Sequence, residues 1–384
     1  LRLTAKPEYD DLRAGVRAVC APFDGAYWRG LEPEGYPTEF VDALTSSGYL
    51  AALIPEEYGG GGATLTEASI ILEEISASGG NPSACHAQMY VMGTLLRHGS
   101  AAQKQHYLPR IAAGELRLQA FGVTEPGAGS ETTRITTRAE HTEEGWCING
   151  QKIWTSRALH SDLMLLLART TPYDQCAKPT EGLSVFLFDM RELPGLTITP
   201  IRTMMNHNTT QVFFDDVVIP HGALIGEVGM GFRYILDGMN AERILIAAEC
   251  IGDGRFLLDR AVTYAGQREV FSRPIGANQG VQFPLAKAFA ELHAADLVRY
   301  EAAALYDAGE PCGPEANMAK LLCANASWAA ANAALDAHGG FGFAVEYDVE
   351  RKFRETRLYQ VAPINNNLIL AYLGQHVLGL PKSY

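Results

Sequence analysis

The apolar residues of this chain change their spacing twice, and that limits the folds open to it. Up to about residue 118 they recur every three to four positions, as in Phe40-Val41-Asp42-Ala43-Leu44 and Ala68-Ser69-Ile70-Ile71-Leu72-Glu73-Glu74-Ile75. That spacing puts them on one face of a helix. Residues 119–230 carry short apolar runs instead, at 163–168, 184–188 and 210–214, separated by Pro and Gly. Such runs predict buried strands, too closely spaced for helical crossovers between parallel partners. After Gly231 the helical spacing returns, predicting long helices over 232–250, 281–306 and 318–337 and a last one from about 365 to 379. The expected fold is α+β and multidomain. It has an N-terminal helical domain (1–118), a middle antiparallel β domain (119–230) and a C-terminal four-helix bundle (231–384).

Charge and cysteine content narrow the function. Lys and Arg total 31 against 44 Asp and Glu, a net charge of −13. An acidic surface argues against nucleic acid or an anionic membrane as partner. An anionic ligand would need a local site of arginines and helix N-termini. The seven cysteines form no C-x-x-C pair, which reads as a reduced interior without structural zinc or another metal site. The opening Leu1-Arg2-Leu3-Thr4 shows no targeting pattern, and no apolar run is long enough to span a membrane. The expected setting is bacterial cytoplasm, or the mitochondrial matrix in a eukaryote.

One stretch carries chemistry in its residue order: Phe121-Gly-Val-Thr-Glu-Pro-Gly-Ala-Gly-Ser130. Glycines expose backbone N–H groups that can cradle an anion, and Ser130 adds a hydroxyl. It is neither G-x-G-x-x-G nor a Walker loop, since Glu131 and Thr132 follow and no lysine does.

The stretch resembles the flavin-binding signature of the acyl-CoA dehydrogenase family, Val-Thr-Glu-Pro-x-Ala-Gly-Ser-Asp, with Glu131 in the last place. Further matches follow in order along nearly the whole chain. Leu53-Ile54-Pro55-Glu56-Glu57-Tyr58-Gly59-Gly60 is similar to the family's N-terminal turn. Phe213-Phe214-Asp215-Asp216-Val217 resembles the strand closing its β domain. Arg268-x-x-Phe271-x-x-Pro274-Ile275-x-x-x-Gln279 resembles its C-terminal FAD signature, and His338-Gly339-Gly340-Phe341-Gly342 its Gly-rich turn.

The resemblance implies FAD as cofactor and assigns roles. Phe121, Val123 and Thr124 would line the isoalloxazine, Gly129 and Ser130 the pyrophosphate. Trp154 would lie beside the ring and Ser156 would donate toward N5. Arg268, Phe271 and Gln279 would reach the FAD of a neighbouring subunit in a dimer of dimers, where Arg268 offsets pyrophosphate charge and Phe271 packs on adenine. Gly339 and Gly340 would complete that site, or simply end a helix. Ser130, Met239, Asn240 and Arg243 fall on the substrate side. Three departures stand out: Asp336 replaces a Gln, Asn206 replaces an Arg, and Trp154-Thr155-Ser156-Arg157-Ala158 replaces Trp-Ile-Thr-Asn-Gly.

Dehydrogenation of an acyl-CoA removes the α proton and a β hydride, so a carboxylate base is required. Many family members carry it in a Tyr-Glu-Gly-Thr segment. The matching position here is Pro363, which cannot accept a proton. Isovaleryl- and long-chain acyl-CoA dehydrogenases instead carry the Glu on a helix just before an Arg, and Met239-Asn240-Ala241-Glu242-Arg243 matches that arrangement. Glu242 is therefore the expected base, and electron-transfer flavoprotein the expected electron acceptor. Three alternatives stay open at this stage: a dehydrogenase of carrier-protein-tethered acyl groups, a flavin oxidase or monooxygenase on the same fold, and a silent FAD-stabilised assembly protein.

Overall fold

The computed structural model describes residues 6–382. Helices α1 (Asp10–Cys20), α2 (Gly25–Gly30), α3 (Thr38–Ser46), α4 (Leu65–Ala77), α5 (Ser83–His98) and α6 (Ala101–Ala112) come first. Capping boxes start two of them. Thr64 and Glu67 exchange side-chain and backbone bonds before α4, and Ser100 and Gln103 do so before α6. Strands β1 (Leu118–Gly122), β2 (Arg138–His141), β3 (Trp146–Ser156), β4 (Leu163–Arg169), β5 (Leu183–Asp189), β6 (Leu196–Pro200), β7 (Thr209–Ile219) and β8 (Leu224–Ile225) follow. Then come α7 (Gly231–Gln267), a hairpin of β9 (Glu269–Val270) and β10 (Arg273–Pro274), α8 (Gln279–Asp307), α9 (Gly313–His338), α10 (Val349–Leu358) and α11 (Asn366–Tyr372). The order helical, β, helical is the one expected.

Contacts divide the chain into two units. One comprises Leu31–Ala63 and Ser83–Met239; the other comprises the chain up to Gly30, Thr64–Pro82 and everything from Asn240.

The first unit is built on an eight-stranded sheet ordered β6-β7-β3-β2-β4-β5-β8, with β1 also on β4. All seven residues of β4 are buried. Leu163, Leu165 and Leu167 pack with Val91, Leu95 and Leu108 from α5 and α6. Met164 and Leu166 pack on the opposite face with Phe186, Val212 and Phe214. A strand covered on both faces reads as a continuous apolar run, as 163–168 does. Each such leucine contributes roughly 1.5–3 kcal/mol by burial. The sheet is mainly antiparallel, as expected, with β1 and β2 both pairing with β4 in parallel. The link from β1 to β4 carries the β2–β3 hairpin, so parallel neighbours arise here without a helical crossover.

In the second unit α8 packs on α9, and both helices bury many small side chains. Ala316, Ala319, Ala324, Ala330, Ala331 and Ala334 are fully buried on α9, as are Ala302 and Ala303 on α8. The fourth long helix expected at 365–379 is shorter: α11 ends at Tyr372 and a π turn carries the chain on to Val377. Helix α10 escaped the sequence reading because its buried face is charged. Arg351, Lys352 and Glu355 are buried there and satisfy one another at 2.7–3.0 Å.

Candidate active site

The sheet unit holds one group of candidate residues, and a buried ion pair sets its geometry. Beyond β1 the chain makes a tight turn in which Glu125 and Ala128 exchange backbone bonds of 3.2 and 3.0 Å across Pro126-Gly127. The Glu125 carboxylate faces inward. It accepts from Thr136 N at 2.6 Å, Thr137 N at 2.9 Å and Lys152 Nζ at 2.8 Å. Burial opposes its charge, but the Lys152 ammonium and these bonds outweigh burial and hold the carboxyl down at about 2. Lys152 also donates to Val123 O at 2.9 Å, and Ile153 N to Thr124 O at 2.9 Å. Residues 123–125 are thereby fastened alongside 152–153.

The next residue on β3 is displayed rather than buried. Register with β7 slips between Ile153 and Thr155, a β-bulge at Trp154. Trp154 sits at φ 61°, in the left-handed region, and its side chain is 57% exposed. A large indole held out by a strained backbone fits a plate-like ligand better than a core role. Ser156 is half-buried two residues on, and Phe121 meets Tyr90 edge-on at 6.0 Å between ring centroids. Gly127 and Gly129 face open space where a Cβ would stand, and Ser130 is exposed beside them. The structure thus brings Phe121, Val123, Thr124 and Trp154 into one region, with Gly129 and Ser130 on the adjoining turn. An exposed aromatic, hydroxyl donors and an open glycine turn together suit a flavin.

The departure at Asn206 has a physical account. Its Nδ2 donates to Leu31 O at 2.9 Å and Gly35 O at 2.8 Å, tying down the 31–35 loop.

The remaining candidates fall in two places, all in the helical unit except Met239, the last residue of the sheet unit. Phe271 and Ser272 form the tip of the β9–β10 hairpin at φ 53° and 60°. Positive φ at both tip positions is the type I′ pattern that Asn and Gly normally supply. Phe271 is nonetheless there, 96% exposed, with Arg268 at the hairpin base and Gln279 at the start of α8, both exposed. Tyr264, one turn before Arg268, stacks on His338 at 4.4 Å, next to Gly339. Gly339 takes φ 57° at the end of α9, and both it and Gly340 face open space. The Asp336 side chain is exposed.

The second place surrounds Glu242 on α7, which is buried at 4% exposure. Arg243 is half-buried and donates to Asn240 Oδ1 at 3.1 Å. Burial pulls the guanidinium below its usual range, and the Glu242 charge opposes that shift. Met239 and Asn240 are half-buried one turn earlier. Lys320 on α9 is fully buried and donates to Tyr359 O at 2.6 Å, Ile364 O at 2.7 Å and Asn366 Oδ1 at 2.9 Å. These three acceptors belong to the turn that carries Pro363.

Glu125, Lys152 and Lys320 escaped the sequence reading as supports of these regions. Strand alternation held the signal for Lys152, which shares the inward face of β3 with Trp146 and Ile148. Helical spacing held it for Lys320, which shares a buried stripe with Ala316, Cys323 and Ala324.

Comparison with known proteins agrees with the fold and the motifs. The family models for the acyl-CoA dehydrogenase N-terminal, middle and C-terminal domains match residues 6–115, 120–217 and 229–369. The chain belongs to the acyl-CoA dehydrogenase family, oxidoreductases that act on CH–CH donors and depend on FAD. It is 39% identical to acyl-CoA dehydrogenase FadE12 of Mycobacterium tuberculosis, across 98% of this chain and 97% of that one. A solved glutaryl-coenzyme A dehydrogenase–glutaryl-CoA complex is 30% identical with a TM-score of 0.90, covering 100% of this chain and 98% of that one. A structure described as the electron transferring flavoprotein of Acidaminococcus fermentans matches at 26% identity and a TM-score of 0.90, covering 98% and 100%. Among the described residues no helix is long and apolar enough to cross a membrane.

Proposed function

We propose that this chain is an FAD-dependent dehydrogenase of acyl-CoA thioesters, forming trans-2-enoyl-CoA with Glu242 as the base. The observation that carries this reading is the buried Glu242 carboxylate on α7, beside Arg243, in a chain whose alternative base position is Pro363. A carboxylate kept from water is a stronger base than an exposed one once substrate covers it. Glu242 takes the α proton, and the electron pair left on Cα forms the double bond as hydride departs Cβ. FAD, when bound, supplies the hydride acceptor and later yields its electrons to a carrier, proposed to be electron-transfer flavoprotein.

The chain's own groups have separate tasks. Phe121, Val123, Thr124, Trp154 and Ser156 hold the ring, and Gly129 and Ser130 the pyrophosphate. Met239, Asn240 and Arg243 meet the substrate, together with Ser130. Arg268, Phe271, Gln279, Gly339 and Gly340 serve the FAD of a second copy, which makes the functional unit a dimer or a dimer of dimers. The exposed Phe271 on its strained tip supports that last assignment.

An anaerobic screen of straight, branched, aromatic and dicarboxylic acyl-CoAs, read by flavin absorbance, tests the activity and finds the substrate. Glu242→Gln is expected to keep FAD and slow reduction by about 10²–10⁴-fold, the usual contribution of a positioned base. Reduction at the wild-type rate would move the base elsewhere. Bleaching by none of the thioesters would remove the dehydrogenase reading.

A further inference from the structure

Lys320 is a buried cation without a carboxylate in its hydrogen-bond shell. Its three acceptors are two backbone carbonyls, Tyr359 O and Ile364 O, and the Asn366 side-chain oxygen. An ammonium has three N–H bonds, and all three are used. The turn is held a second time by Tyr359, whose hydroxyl donates to Asp253 Oδ2 on α7 at 2.8 Å. Charged groups of α7 and α9 therefore seat 359–366 at both of its ends. Glu242, Arg243 and Cys250 of α7 lie within electrostatic reach of Lys320. Cys312 and Tyr372 act on Arg243 in the same way.

We propose that Lys320 is a positioning residue for proton abstraction: its ammonium, bonded to Tyr359 O, Ile364 O and Asn366 Oδ1, seats the 359–366 turn, and its charge acts on Glu242. This rests on the reading of Glu242 as the base. In that arrangement Pro363 leaves the turn without an acid, and the turn acts as a fixed wall whose place depends on one proton. Burial pushes the Lys320 ammonium down to about 8, with Arg243 adding to the shift and the Cys250 thiol and Glu242 opposing it. A neutral amine has two donors for three acceptors, so the seat loosens as pH rises through that value.

Stopped-flow reduction by a good acyl-CoA, measured across pH, tests the idea. Wild-type protein should show an alkaline fall near pH 8, where Lys320 loses its proton. Asn366→Asp places an anion on the ammonium, raises its pKa and should move that fall to higher pH. Lys320→Met should slow reduction by roughly ten- to a hundredfold through misplacement. It should also move the acid limb upward, because Glu242 loses a nearby cation. A purely structural lysine would shift neither limb. Wild-type rate and limbs in Lys320→Met, or an unmoved alkaline limb in Asn366→Asp, would overturn the proposal; the second result decides alone if Lys320→Met does not fold. Amide hydrogen exchange over 359–366, expected to be faster in Lys320→Met, reads the seating without any chemistry. If exchange rises while Glu242→Gln reduces flavin normally, the base assignment has failed and the seating has not.

Discussion

Lys152 in one unit and Lys320 in the other are both fully buried and do similar work by different means. Lys152 fastens the 123–125 segment through one carboxylate and one carbonyl; Lys320 fastens the 359–366 turn through carbonyl oxygens alone. Burial pushes both ammonium groups down to about 8. The difference lies in what remains when a partner is lost. Removing Glu125 strands a charge, whereas removing one acceptor of Lys320 leaves one unsatisfied N–H. A charged clamp holds harder and fails harder. A clamp of neutral acceptors yields in steps, which suits a turn meant to respond to a single proton.

The largest effect should come from Glu125→Ala. Taking one partner from a buried pair commonly costs about 3–5 kcal/mol, and urea unfolding of the FAD-free protein measures it. A cost no larger than that of an ordinary surface change would erase the contrast between the two lysines. The same carboxyl sets an acid limit. Its pKa is depressed to about 2, so its stabilisation is complete above the ordinary carboxylate range and is lost as pH falls toward 2. Acid unfolding of Glu125→Ala should accordingly lack that component.

Asn366→Leu should cost less, about 1–3 kcal/mol, because the charge keeps two acceptors, although the neutral bonds from Asn366 Nδ2 to Asn325 and Gln360 are lost as well. Equal costs for the two variants would mean that the carboxylate adds nothing special. The smallest stability effect belongs to Trp154→Ala. Its side chain is displayed and not packed, so the change should stay within about 0.5 kcal/mol. FAD retention on dilution should nonetheless fall, and unchanged retention would mean that the bulge holds up nothing of use.

Much of this architecture was legible in the sequence where side-chain order and local geometry coincide. The run at 163–168 announced a strand buried on both faces, and β4 is that strand. The glycines of 121–130 announced an open backbone, and Gly127 and Gly129 do face open space around the 125–128 turn. What escaped depends on partners distant in sequence. Glu125 and Lys152 are separated by a hairpin and a loop, and neither alone indicates that the other neutralises it. Helix α10 went unread because its buried charges are satisfied by one another rather than by an apolar stripe. Trp154 was placed beside a flavin by resemblance, but nothing in its neighbours predicts the register slip that displays it. Asn206 read as a lost arginine; only the folded 31–35 loop shows what its amide holds.

The fully buried alanines of α8 and α9 bear on how such a chain can drift. Leucine-rich faces can trade shape among several residues of similar volume. A methyl group has one smaller replacement, glycine, at about 1 kcal/mol in a helix. Every larger one must wedge apart helices already in contact, at about 1–3 kcal/mol. Positions such as Ala324, Ala330 and Ala331 therefore have almost no neutral neighbours in sequence space. Over long divergence these buried positions should stay nearly still while the outer faces of the same helices are rewritten.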